Sequence, residues 1–203
     1  YLNLGNNILK KVPLFNQNPI IKLNGSSSVY HLVRTPYIDL GATATDINNK
    51  DISDKIRVVN NTVIDTKIGT YIVEYSVTDD NGNTTIKSRK VNVIFNLDVD
   101  GDGIPTLNDA TMILRKMIGD AYAGDALTEG IDQLAKYNTE QIHTNIQEGL
   151  DMFQLDITGN RKQSALIDGV ILIRKFNNNY NGSLTENMDV DQLIVDTYFS
   201  NRI

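Results

Sequence analysis

The stretch DVDGDGIPTLND, Asp98 to Asp109, puts four aspartates into twelve residues. Carboxylates this close repel one another unless positive charge sits among them. A merely solvated acidic loop has no use for Gly103, the apolar Ile104 after it and the closing acid Asp109 all together. The pattern points instead to a loop wound round a cation.

Numbered from Asp98, oxygen side chains fall at the first, third, fifth, ninth and twelfth places: Asp98, Asp100, Asp102, Thr106 and Asp109. Gly103 is sixth, where such a loop turns sharply. Ile104 is seventh, where only the backbone carbonyl is used. This is EF-hand spacing, which fits calcium because that ion takes about six to eight hard oxygens at about 2.3–2.6 Å. The closing residue is Asp rather than Glu, so it is shorter and the following helix must start close. That helix is predicted over Asn108–Ile118 (NDATMILRKMI), with Ala110, Ile113, Leu114 and Met117 on one side. The residues before the loop (VNVIFNL) read as strand, so no helix enters it.

The chain from here on repeats itself. Phe95-Asn96-Leu97-Asp98 recurs as Phe153-Gln154-Leu155-Asp156, Ile113–Met117 as Leu172–Phe176, and Leu127–Ile131 as Leu184–Met188, a period near 58 residues. A second loop follows, with ligand candidates Asp156, Thr158, Asn160, the Lys162 carbonyl, Ser164 and Asp168. Its closing acid comes one residue late, and Arg161 and Lys162 add positive charge. Two calcium ions are expected, the second held more weakly because charge count tunes affinity. Helices are predicted over Thr128–Tyr137, with Ile131 and Leu134 aligned, and over Thr139–Met152, with Ile142, Ile146 and Leu150 aligned and Thr139 as N-cap. Ala165–Asn177 and Asp189–Asn201 are the corresponding pair after the second loop.

This half, Asn96 to Ile203, resembles dockerin-like domains, which carry paired calcium loop-helix repeats, here about 96–152 and 153–203. The resemblance implies an all-α dockerin-like domain that binds a cohesin-type protein module. Two departures stand against it: the wide separation of the loops and the degraded second loop. Exposed candidates for a partner contact are Thr111, Arg115, Lys116, Arg174 and Lys175.

The first half has a different texture, rich in Val, Ile, Thr and Tyr with Asn/Gly turns. Gly69–Asn83 decides it. In Thr70–Thr78, Tyr71, Val73, Tyr75 and Val77 alternate with the residues of the opposite face, the period of a half-buried strand. Asn81–Gly82 suits a hairpin turn, and Thr85–Ile94 returns as the partner. Further strands are predicted over Pro19–Asn24, Ser28–Val33, Tyr37–Thr45, Ile56–Val59 and Thr62–Thr66. Short strands at regular spacing mean an antiparallel sandwich. The residues GATATD (Gly41–Asp46), Asp51–Ile52 and GTYIVEYSVTDDNGN (Gly69–Asn83) resemble bacterial immunoglobulin-like surface repeats, a spacer or adhesive unit without chemistry. The expected division is thus 1–17 as a linker or the end of a preceding module, 18–95 as an immunoglobulin-like β-sandwich and 96–203 as the dockerin-like domain. Asp46 and Asp51 flank an Asn-rich loop and read as turn caps or as a further calcium site. His31 and His143 stand without patterned partners.

Composition narrows the function. The net charge is −6 and there is no cysteine, which disfavours non-specific nucleic-acid binding and excludes disulfides, thiolate metal sites and a Cys nucleophile. Basic residues slightly outnumber acidic ones up to Phe95, and acids outnumber bases about two to one afterwards. No apolar run approaches the roughly 18 residues of a membrane span. No secretory signal is visible and the chain opens with Tyr1, so it reads as a piece of a longer polypeptide. No nucleophile elbow, zinc-protease helix, P-loop or dinucleotide fingerprint is present. The expectation is a non-catalytic, calcium-dependent attachment module of a secreted or cell-surface protein. The alternative is a purely structural calcium-stiffened stalk or C-terminal cap of a surface adhesin or exoenzyme. In that case the strand running straight into the first loop favours a fixed orientation.

Overall fold

The computed structural model describes residues 2–3, 9–10, 18–130 and 134–203. Among these residues eight strands precede four α-helices: β1 Leu2–Asn3, β2 Leu9–Lys10, β3 Ile20–Leu23, β4 Ser28–Leu32, β5 Ala42–Thr45, β6 Arg57–Asn61, β7 Gly69–Thr78 and β8 Thr84–Ile94, then α1 Leu107–Ile118, α2 Thr139–Asp151, α3 Val170–Phe176 and α4 Gln192–Ser200. The strands form a β1-β2 pair, a β3-β5 pair and a four-stranded sheet in the order β4-β8-β7-β6. The chain divides into two compact units. One takes in residues up to Val29 with Tyr37–Val63 and Tyr71–Val91; the other takes in Tyr30–Pro36, Ile64–Thr70 and Asn92–Ile203.

The first unit is β-rich, as its alternation dictates. Val73, Tyr75 and Val77 are buried from β7, Val91 from β8, Ile21 and Leu23 from β3, and Ala44 from β5. The hairpin turn is capped by Asp79, whose Oδ1 accepts the N–H groups of Asn81 and Asn83 at 2.9 Å each, with Gly82 at φ 83°. Most of the segment 1–17, expected to be a linker or the end of a module, lies outside the described residues.

Two strands are shorter than their composition suggests. The strand expected over Tyr37–Thr45 begins only at Ala42. Ahead of it lies a network of side chains centred on Asp39 and Arg89. Arg89, 1% exposed, donates from Nη1 to Asp39 at 2.7 Å, from Nε to the Ser26 carbonyl at 3.1 Å and from Nη2 to the Asn24 carbonyl at 2.6 Å. Asp39 also accepts the hydroxyls of Tyr75 and Tyr37 and the Gly41 N–H. Burial pushes the Asp39 carboxyl up, but these hydrogen bonds outweigh it and hold the group below its ordinary value. The same burial and the neighbouring carboxylate push the Tyr37 hydroxyl up to about 12. Thr62–Thr66 is not a strand either. Asn61 Oδ1 accepts the Val63 N–H at 3.1 Å and turns the chain out of the ladder. Asp46 and Asp51 are spent on turns. Asp46 accepts the N–H groups of Asn48 and Lys50, and Asp51 accepts both the N–H and the hydroxyl of Ser53.

The second unit holds the paired helices. Its core gathers Phe95, Leu97 and Val99 with Ala110, Met112, Ile113, Leu127, Ile142, Ile146, Leu155, Ile157, Ile171, Leu172, Val195 and Phe199. Met112 is not among the α1 residues that the periodicity places inward. Helix α1 starts at a capping box in which Thr106 accepts the Asn108 N–H and Asp109 accepts the Thr106 N–H. Helix α2 is capped by Asn138, one residue before the expected Thr139, with Gln141 reciprocating. The helix expected over Thr128–Tyr137 is absent among the described residues of that segment, and Ile131 lies outside them. Gly130 takes φ 87°, and Leu134 is 73% exposed rather than aligned inward. The N–H groups of Lys136 and Tyr137 both go to the Asp100 carbonyl at 2.9 Å, so this segment is drawn onto the first loop instead of coiling on itself.

Candidate metal centre

The first loop is shaped by its own side chains folding back onto its backbone. Asp98 accepts the N–H groups of Gly101 at 2.8 Å and Gly103 at 3.0 Å. Asp100 accepts that of Asp102 at 3.1 Å, and Asp102 that of Ile104 at 2.8 Å. Gly101 and Gly103 take φ 77° and 104°, which glycine adopts without steric cost. A Cβ on Gly101 would also stand 2.5 Å from the Tyr137 ring. This winding brings one oxygen from each of Asp98, Asp100 and Asp102 within 4.8 Å of the others. Two oxygens on one calcium cannot stand more than about 5 Å apart, so the three carboxylates fit around such an ion. The donor set is hard and anionic, with no nitrogen or sulfur in it.

Asp109 is fully buried. Its Oδ1 accepts the Val99 and Asp100 N–H groups at 2.8 and 3.3 Å, and its Oδ2 accepts the Thr106 N–H and hydroxyl at 2.7 and 3.0 Å. A carboxylate offers about four lone-pair sites, and four donors meet them. In this arrangement Asp109 closes the loop from behind. The clustered acids also work against one another. Burial, with repulsion from Asp109, Asp102 and Asp98, pushes Asp100 up to about 7 against the Asp102 N–H bond. Burial also raises Asp109 in spite of the hydrogen bonds from Thr106, Val99 and Asp100. A cation among these groups would relieve both.

The second loop repeats this scheme where its side chains permit. Asp156 accepts the N–H groups of Asn160 at 3.1 Å and Arg161 at 2.7 Å, and Asn160 that of Lys162 at 2.8 Å. Asp168 closes it, accepting the Ile157, Thr158 and Ser164 N–H groups at 2.9, 3.1 and 2.7 Å. Burial raises its carboxyl in turn. The late position of this acid has a structural answer: Ala165–Gly169 forms a π-helical turn, which takes up one extra residue before α3 begins. Arg161 occupies the place of Gly103 and is held at φ 64°. Thr158 and Asn160 stand where Asp100 and Asp102 stand in the first loop, and among the described residues only the first loop gathers three acidic side chains.

The repeats share a second device. Arg115 and Arg174, named above as candidates for a partner contact, are half-buried and hydrogen-bonded to backbone carbonyls. Arg115 Nη1 donates to the Leu127 and Glu129 carbonyls at 3.1 and 2.6 Å, and its guanidinium lies 5.6 Å from the Tyr122 ring centre. Arg174 Nη1 donates to the Leu184 and Glu186 carbonyls at 3.0 and 2.8 Å, and its guanidinium lies 5.2 Å from the Tyr180 ring centre. The recurring Leu-Thr-Glu landmark is the signal that could have revealed this. Both histidines are engaged by backbone: His143 Nε2 lies 3.0 Å from the Gly124 carbonyl, and His31 Nε2 lies 2.8 Å from the Thr35 carbonyl.

Residues 21–93 match a family described as bacterial surface protein, Ig-like domain. A lipoprotein from Bacteroides thetaiotaomicron is similar at 20% identity over 37% of each chain, with a TM-score of 0.33. The CBM51-2 and INT domains of Clostridium perfringens ZmpB, in complex with GlcNAc, are similar at 32% identity over 40% of this chain and 18% of that one, with a TM-score of 0.32. The ZmpB M60 catalytic domain with its two CBM51 domains is similar at 34% identity over 38% of this chain and 8% of that one, with a TM-score of 0.32. The chain thus spans well under half the length of these structures, and scores this low carry no argument. No curated protein matches. The family match ends before the first loop begins, and what it supports is a β-rich, immunoglobulin-like part of the bacterial-surface type, joined to a helical part.

Proposed function

We propose that this chain is a non-catalytic attachment module of a secreted or surface protein, in which the paired loops bind calcium and the helical repeats present a surface to a cohesin-type partner. One observation carries the calcium reading: three carboxylates converge within 4.8 Å on a loop whose turn and closing hydrogen bonds recur in a second copy. Asp98, Asp100, Asp102 and the Ile104 carbonyl form the first site; Asp109, expected as a ligand, closes the loop from behind with its lone-pair sites met by Val99, Asp100 and Thr106. Asp156, Thr158, Asn160, the Lys162 carbonyl, Ser164 and Asp168 form the second, weaker site. Calcium there would supply the positive charge that the clustered carboxylates lack. Extracellular calcium, in the range of modules with Kd values of about 10⁻⁴–10⁻³ M, suits a surface location. Among the described residues no helix is long and apolar enough to cross a membrane.

The structural alternative, a calcium-stiffened stalk or cap, gains from Arg115 and Arg174, whose guanidinium groups are engaged within their own repeats. Calorimetric titration of calcium into chelator-treated protein decides the first part. Two heats of unequal affinity are expected, the tighter one abolished in Asp98→Ala/Asp102→Ala. Absence of any heat overturns the calcium reading. Binding to a cohesin module that disappears with chelator supports attachment; calcium binding with no such partner leaves the structural role.

A further inference from the structure

Within the second unit, helix α2 joins the first loop to two segments drawn from the part of the sequence matched as immunoglobulin-like. Just ahead of the helix, Lys136 and Tyr137 donate to the Asp100 carbonyl, and the Tyr137 ring lies where a side chain on Gly101 would have to go. Midway, the buried Asn145 donates to the Val99 carbonyl at 3.4 Å. Near its end, Gly149 admits the Phe95 ring, which a Cβ would meet at 2.6 Å. Between these last two stands Glu148. Its Oε2 pairs with Arg34, and its Oε1 accepts the Ile68 N–H at 3.2 Å. The pair is half-buried and Ile68 is 4% exposed. Arg34 takes φ 66°, and its own N–H goes to the Asp65 carbonyl at 2.7 Å. One carboxylate therefore holds Tyr30–Pro36 and Ile64–Thr70 together, and the same helix is fixed at both ends by the loop 1 backbone and the strand leading into it.

We propose that Glu148 is a relay: filling the first loop with calcium tightens the seating of α2 and thereby the hold of Glu148 on Arg34 and Ile68. This rests on the calcium reading above. The physical requirement is that loop and helix share an equilibrium between tight and loosened states, which calcium biases through the Asp100 and Val99 carbonyls. Calcium bound at Asp98–Asp109 then protects backbone amides that are far from it in sequence. By reciprocity, removing the clamp weakens calcium binding by the same factor.

Hydrogen exchange on the whole chain, with and without calcium, tests this alongside calorimetry. In the wild type, exchange at the Ile68 amide and across 64–70 is expected to slow by about tenfold at saturating calcium. Glu148→Ala is expected to bind calcium with unchanged stoichiometry but with a Kd raised by about the same factor, and to lose the calcium-dependent protection at Ile68. Circular dichroism establishes that the variant is folded. Asp98→Ala, with Glu148 intact, should abolish the calcium response at Ile68. Calcium binding with no change at Ile68, or an unaltered Kd in Glu148→Ala, overturns the relay alone. No calcium binding by calorimetry overturns the calcium reading and the relay together.

Discussion

Arg161 shows how a single residue records what its loop has lost. It stands at the sharp turn that Gly103 makes in the first loop, in a left-handed conformation that opposes its Cβ. Arg161→Gly is expected to raise stability by about 0.5–1 kcal/mol, the relief of strain partly offset by greater freedom of the unfolded chain. A shift of the urea midpoint at constant slope checks it; an unchanged or lower midpoint would mean that the arginine side chain holds something on the surface. The winding of the first loop was legible in the sequence because its positions advertise themselves: oxygen side chains at alternating places, a glycine at the turn, an acid at the close. What the sequence did not display is the engagement of Asp109 by four donors. That depends on Val99 and Asp100 swinging their N–H groups inward, a backbone event with no residue code.

At the scale of elements, the Arg89–Asp39 network is the feature least visible beforehand. The two residues lie 50 apart in sequence, and no period connects them. The segment Tyr37–Thr45 looked like one strand, but the strand begins only at Ala42, and ahead of it the side chains of Tyr37, Asp39 and Arg89 join one another. Asp39 is held below its ordinary pKa in the folded state. Its contribution is therefore complete above the unfolded value of about 3.9 and is lost as the pH falls through the lower folded value. Asp39→Asn should cost about 3 kcal/mol at neutral pH, because Arg89 keeps its charge without a counter-ion. The stability gap between wild type and variant should narrow as the pH falls below about 4. Denaturant unfolding across that range measures it, and a gap independent of pH would contradict the assignment. The misread segment Thr128–Tyr137 teaches the complementary lesson. Its helical pattern was genuine, but Gly130 and the pull of the Asp100 carbonyl on two successive N–H groups outweigh local propensity. Gly149→Ala probes another close approach. The Cβ would stand 2.6 Å from the Phe95 ring, and overpacking of this kind costs about 1–3 kcal/mol. Thermal unfolding of the variant reads that out; a neutral substitution would show that the ring gives way freely.

For the molecule as a whole, the change of texture near Phe95 was legible, but the compact units do not follow it residue by residue. Tyr30–Pro36 and Ile64–Thr70 join the helical unit although their composition is that of the sheet. Composition is a property of neighbours in sequence, whereas a unit is defined by neighbours in space, and Glu148 reaches across 114 residues to Arg34. The internal duplication was visible through three landmarks, and the arginine of the second landmark holds the third in each repeat.

The second loop keeps the first loop's pattern of backbone bonds while carrying half of its acids. Shape and charge are therefore separable inheritances here: the mould is maintained by Asp156, Asn160 and Asp168, and negative charge has been removed from it without recasting it. Thr158, Asn160 and Arg161 are the letters in which the second copy departs from Asp100, Asp102 and Gly103 at the heart of the loop. Selection acting on the charge of one copy would leave the backbone mould of the other in place.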